Sequence, residues 1–213
     1  MTGNFTTIPQ YFKEAGYLTA GMGKIFHPGA ASGGKPHGQY SCPMCRGPDD
    51  ADYSWSEPYF HGRPPIDSDN SHSWLAVPAN FTAASPLEDE QVRDHAIATL
   101  RNISAARVAG VAEGGDAEGK RRPFFVAVGF HKPHLPFVFP ERFLQYYPEE
   151  DISLPPNAYA PDGMPKIAWQ SYGETRSYAD IAALNASGAP NTTLPDAVVR
   201  ALRRAYYSAV SYT

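Results

Sequence analysis

The sequence has few cysteines, no long apolar run and no excess of positive charge. Only two of its 213 residues are cysteines, and no stretch approaches the roughly 20 consecutive apolar residues that span a bilayer. The opening residues, Met1 to Phe5, lack the basic and apolar regions of a secretory signal peptide. The formal net charge of -4 excludes a basic field that would attract nucleic acid or an anionic membrane. We expect neither as a partner, and any anion site must be local.

The composition that remains is typical of a folded protein with long loops. Hydrophobic residues make up 42% of the chain and aromatic residues 13%, which is enough for one sizeable core. The 21 prolines and 18 glycines are high for a helical bundle and favour elements joined by shaped loops. Chemistry is expected on those loops.

Five N-x-S/T sequons begin at Asn4, Asn80, Asn102, Asn185 and Asn191. Chance would give roughly one or two, and a single sequon is about as often unused as used. Their density favours a lysosomal or secreted protein whose signal peptide is not in this chain. We expect glycosylation at Asn80, Asn102, Asn185 and Asn191.

The two cysteines, Cys42 and Cys45, form a C-x-x-C pair inside a loop rich in glycine, proline and serine. A thioredoxin-type redox pair would instead begin a helix after a strand. A metal site would need two further ligands, and only His37 is near in sequence. We expect a local disulfide, as suits a secretory compartment.

Hydrophobic periodicity predicts an alternation of helices and buried strands. Helices are predicted over 7–15, 88–103, 140–147 and 195–212, and strands over 17–22 and 124–130. The continuously apolar strand 124–130 is typical of a central parallel strand covered on both faces. Residues 30–86 are predicted to be a long loop excursion on the substrate side, and 109–122 a surface loop. The fold class is therefore α/β, with a mostly parallel sheet, flanking helices and long loops.

Two polar clusters follow the two predicted strands. Lys24 and His27 come just after the first strand, and His131 and His134 come just after the second. In an α/β sheet the carboxyl ends of the strands form the edge where ligands bind, so the clusters are candidates for one anion site. The alternatives are a surface lysine beside a turn-capping histidine, and a pair of histidines that satisfy loop carbonyls.

Two long segments carry a resemblance to a known family. Residues 7–17 with 23–29 resemble the segment of sulfatases of the iduronate-2-sulfatase type that supplies an active-site lysine and histidine. Residues 123–137 resemble the same family's second histidine segment. Further similarity lies in 45–49, 53–56, 183–187 and 206–212, whereas 62–86 and 109–122 diverge. The chain is thus similar over most of its length to an internal fragment of the N-terminal catalytic domain of these sulfatases.

The resemblance implies a role for three residues. Lys24 would contact the sulfate and the nucleophile, and His27 would take a proton from the nucleophile's second hydroxyl when sulfate is expelled. His134 would bind the sulfate ester and assist the leaving oxygen. Cations and hydrogen-bond donors aimed at a transferring sulfuryl group lower the barrier, and a histidine can shuttle the proton.

The resemblance also implies an alkaline-phosphatase-like α/β fold, a formylglycine nucleophile and a Ca²⁺ ion. The family makes formylglycine from a C-x-P-x-R motif, which the run from Cys42 to Arg46 does not match. The calcium ligands, an Asp-Asp pair before the nucleophile and an Asp-His or Asp-Asn pair after the last helix, are expected outside this chain. Asp49-Asp50 is interpreted as a solvated turn instead.

We therefore expect residues 1–213 to be part of a single sulfatase catalytic domain that lacks its N-terminal nucleophile segment and its C-terminal metal-binding segment. The parent would hydrolyse sulfate esters of uronate-containing glycans, and this chain alone would be inactive. Two alternatives stay open. One is a sulfatase for another sulfated polysaccharide, with the difference in 62–86, and the other is a non-catalytic, glycan-binding relative.

Overall fold

A computed structural model describes residues 5–27, 49–63, 70–108 and 122–213. The chain divides into two compact units. The first comprises Met1–Arg63 and Leu87–His131, and the second comprises Pro64–Pro86 and Lys132–Thr213.

The first unit is built on two parallel strands. Its elements are α1 (Ile8–Glu14), β1 (Leu18–Gly23), α2 (Ala51–Ser54), α4 (Glu88–Val108) and β3 (Phe124–Gly129). The pairing of β1 with β3 runs from Leu18 opposite Phe124 to Gly23 opposite Gly129, so both strands end at the same edge. Phe60 adds a parallel bridge to Met22. Because consecutive strand residues direct their backbone groups to opposite edges, β1 lies between β3 and the Phe60 segment.

The core of the first unit lies between β1 and α4. Ala20 and Met22 of the strand pack against Val92 and Ala96 of the helix, and all four are buried. On α1, the ring of Phe12 stacks on Phe125 with centroids 4.8 Å apart. Helices therefore contact both strands of the sheet and hold β1 rigidly.

The second unit also contains a two-stranded parallel sheet. Its elements are β2 (Trp74–Val77), α3 (Ala79–Ala84), β4 (Phe137–Pro140), α5 (Ala179–Ala182) and α6 (Asp196–Tyr212), with 3₁₀ helices at Glu141–Tyr146, Glu149–Asp151, Lys166–Ala168 and Thr175–Ser177. The pairing of β2 with β4 runs from Trp74 opposite Phe137 to Val77 opposite Pro140. Phe139 forms a fully buried core with Ala205 and Ala209 of α6.

Most of the predicted elements are confirmed. The helices predicted over 7–15, 88–103 and 195–212 and the strands over 17–22 and 124–130 are present within a few residues, and 140–147 forms a 3₁₀ helix. The α/β class and the parallel pairing are confirmed, in two small sheets. Among the described residues, no helix is long and apolar enough to cross a bilayer.

Two structural predictions are wrong. The described part of 30–86 is not loop throughout, because it contains α2, β2 and α3. The short apolar run of β2 finds its partner, β4, about sixty residues later, which local periodicity does not reveal. In addition, β3 is not covered on both faces: Phe124 is 36% exposed and Val128 is 37% exposed. A continuous apolar run does not report how many neighbours a strand has. The loop predicted over 109–122 lies, except for Arg122, outside the described residues.

Candidate functional site

At their carboxyl ends, β1 and β3 approach each other closely at two glycines, Gly23 and Gly129. Lys24 follows β1 directly, and its backbone N–H donates to the carbonyl of Gly129 at 2.7 Å. A Cβ atom on Gly23 would lie 1.9 Å from that carbonyl oxygen, and one on Gly129 would lie 2.1 Å from the carbonyl oxygen of Lys24. Gly23 also has a φ of +74°, which L residues rarely adopt. Only glycines allow this close approach, and the approach fixes the backbone of Lys24.

The side chain of Lys24 is half-buried at this edge. Among the described parts of the chain, its ammonium has neither a hydrogen-bond acceptor nor a carboxylate partner. By contrast, Lys13 donates to the carbonyls of Trp55 at 2.7 Å and Asp52 at 3.2 Å. A half-buried cation without an anionic neighbour attracts an anion. His27, three residues further on, is exposed to solvent.

Tyr59 makes two hydrogen bonds on either side of Lys24. Its hydroxyl donates to the carbonyl of Gly23 at 2.8 Å and accepts from the backbone N–H of Ile25 at 3.3 Å. Its ring lies 4.9 Å from the ring of His61. Sequence reasoning did not identify Tyr59, since a tyrosine in a polar, proline-containing segment carries no motif.

A hydrogen-bonded pair, formed by a buried carboxylate and a histidine, lies beside this tyrosine. Asp49 is 3% exposed, and its Oδ2 lies 2.6 Å from Nε2 of His61. The interpretation of Asp49-Asp50 as a solvated turn is therefore wrong for Asp49, although both residues do have the positive φ of a tight turn. The buried carboxylate has a hydrogen-bond partner, His61, twelve residues away, as a buried polar group requires. His61 was not predicted from the sequence, because it belongs to no recognisable motif.

The second histidine cluster is divided between the two units. His131 closes the first unit, where its backbone N–H donates to Oδ1 of Asp89 at 2.7 Å. His134 belongs to the second unit, where its Nδ1 lies 2.6 Å from the carbonyl oxygen of Leu135. Because a carbonyl only accepts, this contact places a proton on Nδ1. Nε2 lies 3.4 Å from a carboxylate oxygen of Glu174, and the side chain of His134 is 39% exposed.

The loop that carries His134 is held from within the second unit. Lys132 donates from Nζ to the carbonyl of Pro136 at 2.7 Å and to that of His134 at 3.2 Å. The ring of His134 is therefore held by its own loop at Nδ1 and lies beside Glu174 at Nε2. That Lys24, His27 and His134 act on one ligand stays a prediction.

No protein-family profile matches the chain, but individual proteins do. Human iduronate 2-sulfatase is 35% identical over 221 residues, and the mouse enzyme is 34% identical over 222 residues. Each alignment covers 99% of this chain and 35% of the relative. A sulfatase of the bacterium Formosa agariphila is 28% identical over 162 residues, which is 73% of this chain and 27% of the relative.

The chain is a homologue of sulfatases of the iduronate-2-sulfatase type. It spans about a third of the length of the mammalian relatives. The resemblance inferred from residues 7–29 and 123–137 is thus confirmed, and it extends over nearly the whole chain.

The described part of this sulfatase homologue contains no group of three or more histidine, cysteine, aspartate or glutamate side chains that could hold a metal ion. The described residues therefore do not fit a Ca²⁺ site. Cys42 and Cys45 lie outside the described residues, so their disulfide stays a prediction.

Four of the five sequons lie in described parts of the sulfatase homologue. Asn80, Asn102, Asn185 and Asn191 are all exposed, as an oligosaccharide acceptor must be. Asn4 lies outside the described residues. Glycosylation of these asparagines stays a prediction.

Proposed function

We propose that the chain is part of the catalytic domain of a sulfatase, an enzyme that hydrolyses sulfate esters, with an alkaline-phosphatase-like fold. The observation that carries the proposal is the position of Lys24, a half-buried residue at the shared carboxyl edge of β1 and β3. Homology to sulfatases over 99% of the chain supports the same reaction.

Three side chains would take part in hydrolysis of the sulfate ester. Lys24 would neutralise the negative charge that is spread over the sulfuryl oxygens in the transition state, where a fixed cation lowers the barrier. His134 would contact the ester through Nε2, because its Nδ1 is engaged with Leu135. To protonate the leaving oxygen it would have to carry a proton on both ring nitrogens and give up the one on Nε2. His27, exposed three residues after Lys24, would accept a proton during release of sulfate.

The nucleophile and the metal would come from elsewhere in the parent protein. We propose a formylglycine nucleophile and Ca²⁺ ligands in regions that correspond to the part of the relatives this chain does not cover. Residues 1–213 would then belong to one catalytic domain, and the chain alone would be inactive.

We propose sulfated, uronate-containing glycans as substrates, and a lysosomal or secreted location. The support is the name of the mammalian relatives, iduronate 2-sulfatase, and the exposure of four sequons. A non-catalytic, glycan-binding relative is the second candidate.

The reading frame around the chain decides between these candidates. We expect an upstream C-x-P-x-R motif and an Asp-Asp pair, and the extended protein, produced in a host that forms formylglycine, should release sulfate from a 2-sulfated iduronate disaccharide. The 213-residue chain should release none from this substrate or from an aryl sulfate. Turnover by the chain alone would contradict the proposed division of the site. An extended frame without the motif, which binds the glycan without hydrolysing it, would establish the second candidate.

Lys24→Gln tests the site within the extended protein. The glutamine keeps most of the length of the side chain and removes the cation, so kcat/KM should fall by about 10²- to 10³-fold. Lys166→Gln is the matched control, because Lys166 is an exposed lysine of the second unit. A Lys24→Gln enzyme within about twofold of the control would refute the role of Lys24.

A further inference from the structure

The hydroxyl of Tyr59 completes a strand pairing at the point where the backbone runs into Lys24. Phe60 pairs with β1 by donating to the carbonyl of Gly21 at 3.2 Å and accepting from the N–H of Gly23 at 2.9 Å. If that parallel pairing continued, residue 62 would bond the carbonyl of Gly23 and the N–H of Ile25. Those two groups bond the Tyr59 hydroxyl instead.

Gly62 is not available for this pairing. A Cβ atom on Gly62 would lie 2.5 Å from the carbonyl oxygen of Glu88, so the chain has already turned against the start of α4. A tyrosine hydroxyl can replace the missing backbone because it is both a donor and an acceptor. From this we infer that Tyr59 is a positioning residue, which holds the backbone on both sides of Lys24 and so fixes where its side chain leaves the backbone.

The ring of Tyr59 is itself held on three sides. It lies directly over Gly21, where an added Cβ would be 2.7 Å from Cε2 of Tyr59. Trp55 is 5.5 Å away and His61 is 4.9 Å away, measured between ring centroids. His61 is fixed in turn by buried Asp49. The hydroxyl therefore has a defined position before any ligand arrives, which is what a positioning group requires.

The inference rests on the proposed role of Lys24 in binding sulfate, and it adds a residue that does not touch the ligand. Tyr59→Phe removes one oxygen and keeps the ring. The matched control is Tyr53→Phe, because Tyr53 is 64% exposed and lies in the same unit. Both variants are made in the 213-residue chain, where the site needs no turnover to be observed.

Two readouts are measured by nuclear magnetic resonance. The first is the hydrogen-exchange rate of the Ile25 amide, which should rise by roughly three- to tenfold in Tyr59→Phe, as expected for the loss of one hydrogen bond. The second is a titration with inorganic sulfate, followed at the Lys24 side chain, with chloride at equal ionic strength as the reference. The apparent Kd for sulfate should rise by a similar factor, whereas the thermal unfolding midpoint should match that of Tyr53→Phe.

The outcomes separate this inference from the proposed function. If the wild-type chain binds sulfate at Lys24 and Tyr59→Phe binds it equally well, the positioning role is refuted and the proposed function stands. If the wild-type chain does not respond to sulfate but Tyr59→Phe still releases the Ile25 amide, the proposed binding of sulfate by Lys24 in this chain is refuted and the positioning of its backbone stands. If Tyr59→Phe does not fold, the wild-type Ile25 amide decides: exchange at the rate of an unprotected amide refutes the inference.

Discussion

Gly23→Ala is expected to be the most damaging single-methyl change in the first unit. The new Cβ would lie 1.9 Å from the carbonyl oxygen of Gly129, whereas carbon and oxygen normally approach no closer than about 3.3 Å. The strands must separate by roughly 1 Å or more, which breaks the 2.7 Å bond from Lys24 to Gly129. Alanine would also have to adopt a φ of +74°.

Three effects contribute to the destabilisation expected for Gly23→Ala. The left-handed backbone costs an L residue about 1–2 kcal/mol, and the lost hydrogen bond about 0.5–1.5 kcal/mol. Forcing a methyl group into a packed position costs about 1–3 kcal/mol. We expect Gly23→Ala to lower the free energy of unfolding by roughly 3–6 kcal/mol, which is a large fraction of the stability of an ordinary domain.

Gly16→Ala provides the control. Gly16 has a φ of +87°, but no atom lies within 4 Å of the place that its new methyl group would take, so only the backbone cost of about 1–2 kcal/mol applies. Urea unfolding followed by circular dichroism measures both variants against wild type. Equal destabilisation by Gly16→Ala and Gly23→Ala would refute the close approach of β1 and β3 at this edge.

Tyr178 and Asp49 test the two units separately. Burial, with smaller effects from Glu174 and Asp180, raises the pKa of Tyr178 from its ordinary value of 10.0 to about 12. The folded state therefore keeps this proton when the unfolded state loses it, so the stabilisation is complete below about pH 10 and is lost as the pH rises to about 12. Over that range the free energy of unfolding should fall by roughly 2–3 kcal/mol more in wild type than in Tyr178→Phe. If the free energies of unfolding of the two proteins changed in parallel with pH, the raised pKa of Tyr178 would be contradicted. Asp49→Asn keeps the size of the side chain and tolerates the positive φ, but it replaces the carboxylate that bonds His61 by a neutral amide. We expect the free energy of unfolding in urea to fall by about 1–3 kcal/mol, and to change little in Asp52→Asn, because Asp52 is exposed.

The elements with strong local signals were predictable from the sequence. The helix after Thr7 has a proline in its first turn and a capping side chain, and the predicted strand 124–130 is continuously apolar. Each element can therefore be recognised from a few neighbouring residues. The placement of Lys24, His27 and the histidines at 131 and 134 just after those strands also follows from sequence order. The resemblance to sulfatases could also be found from the sequence, because it lies in continuous segments of the chain.

Tertiary structure alone decided what surrounds Lys24. The partners of Tyr59, which are Gly23 and Ile25, lie more than thirty residues away in sequence, and buried Asp49 contacts His61 twelve residues away. Hydrogen bonds of this kind depend on distances between segments, and periodicity within one segment carries no information about them. Sequence order and the resemblance to sulfatases thus pointed to Lys24 and to the proposed reaction, whereas packing determined how the backbone of that lysine is held.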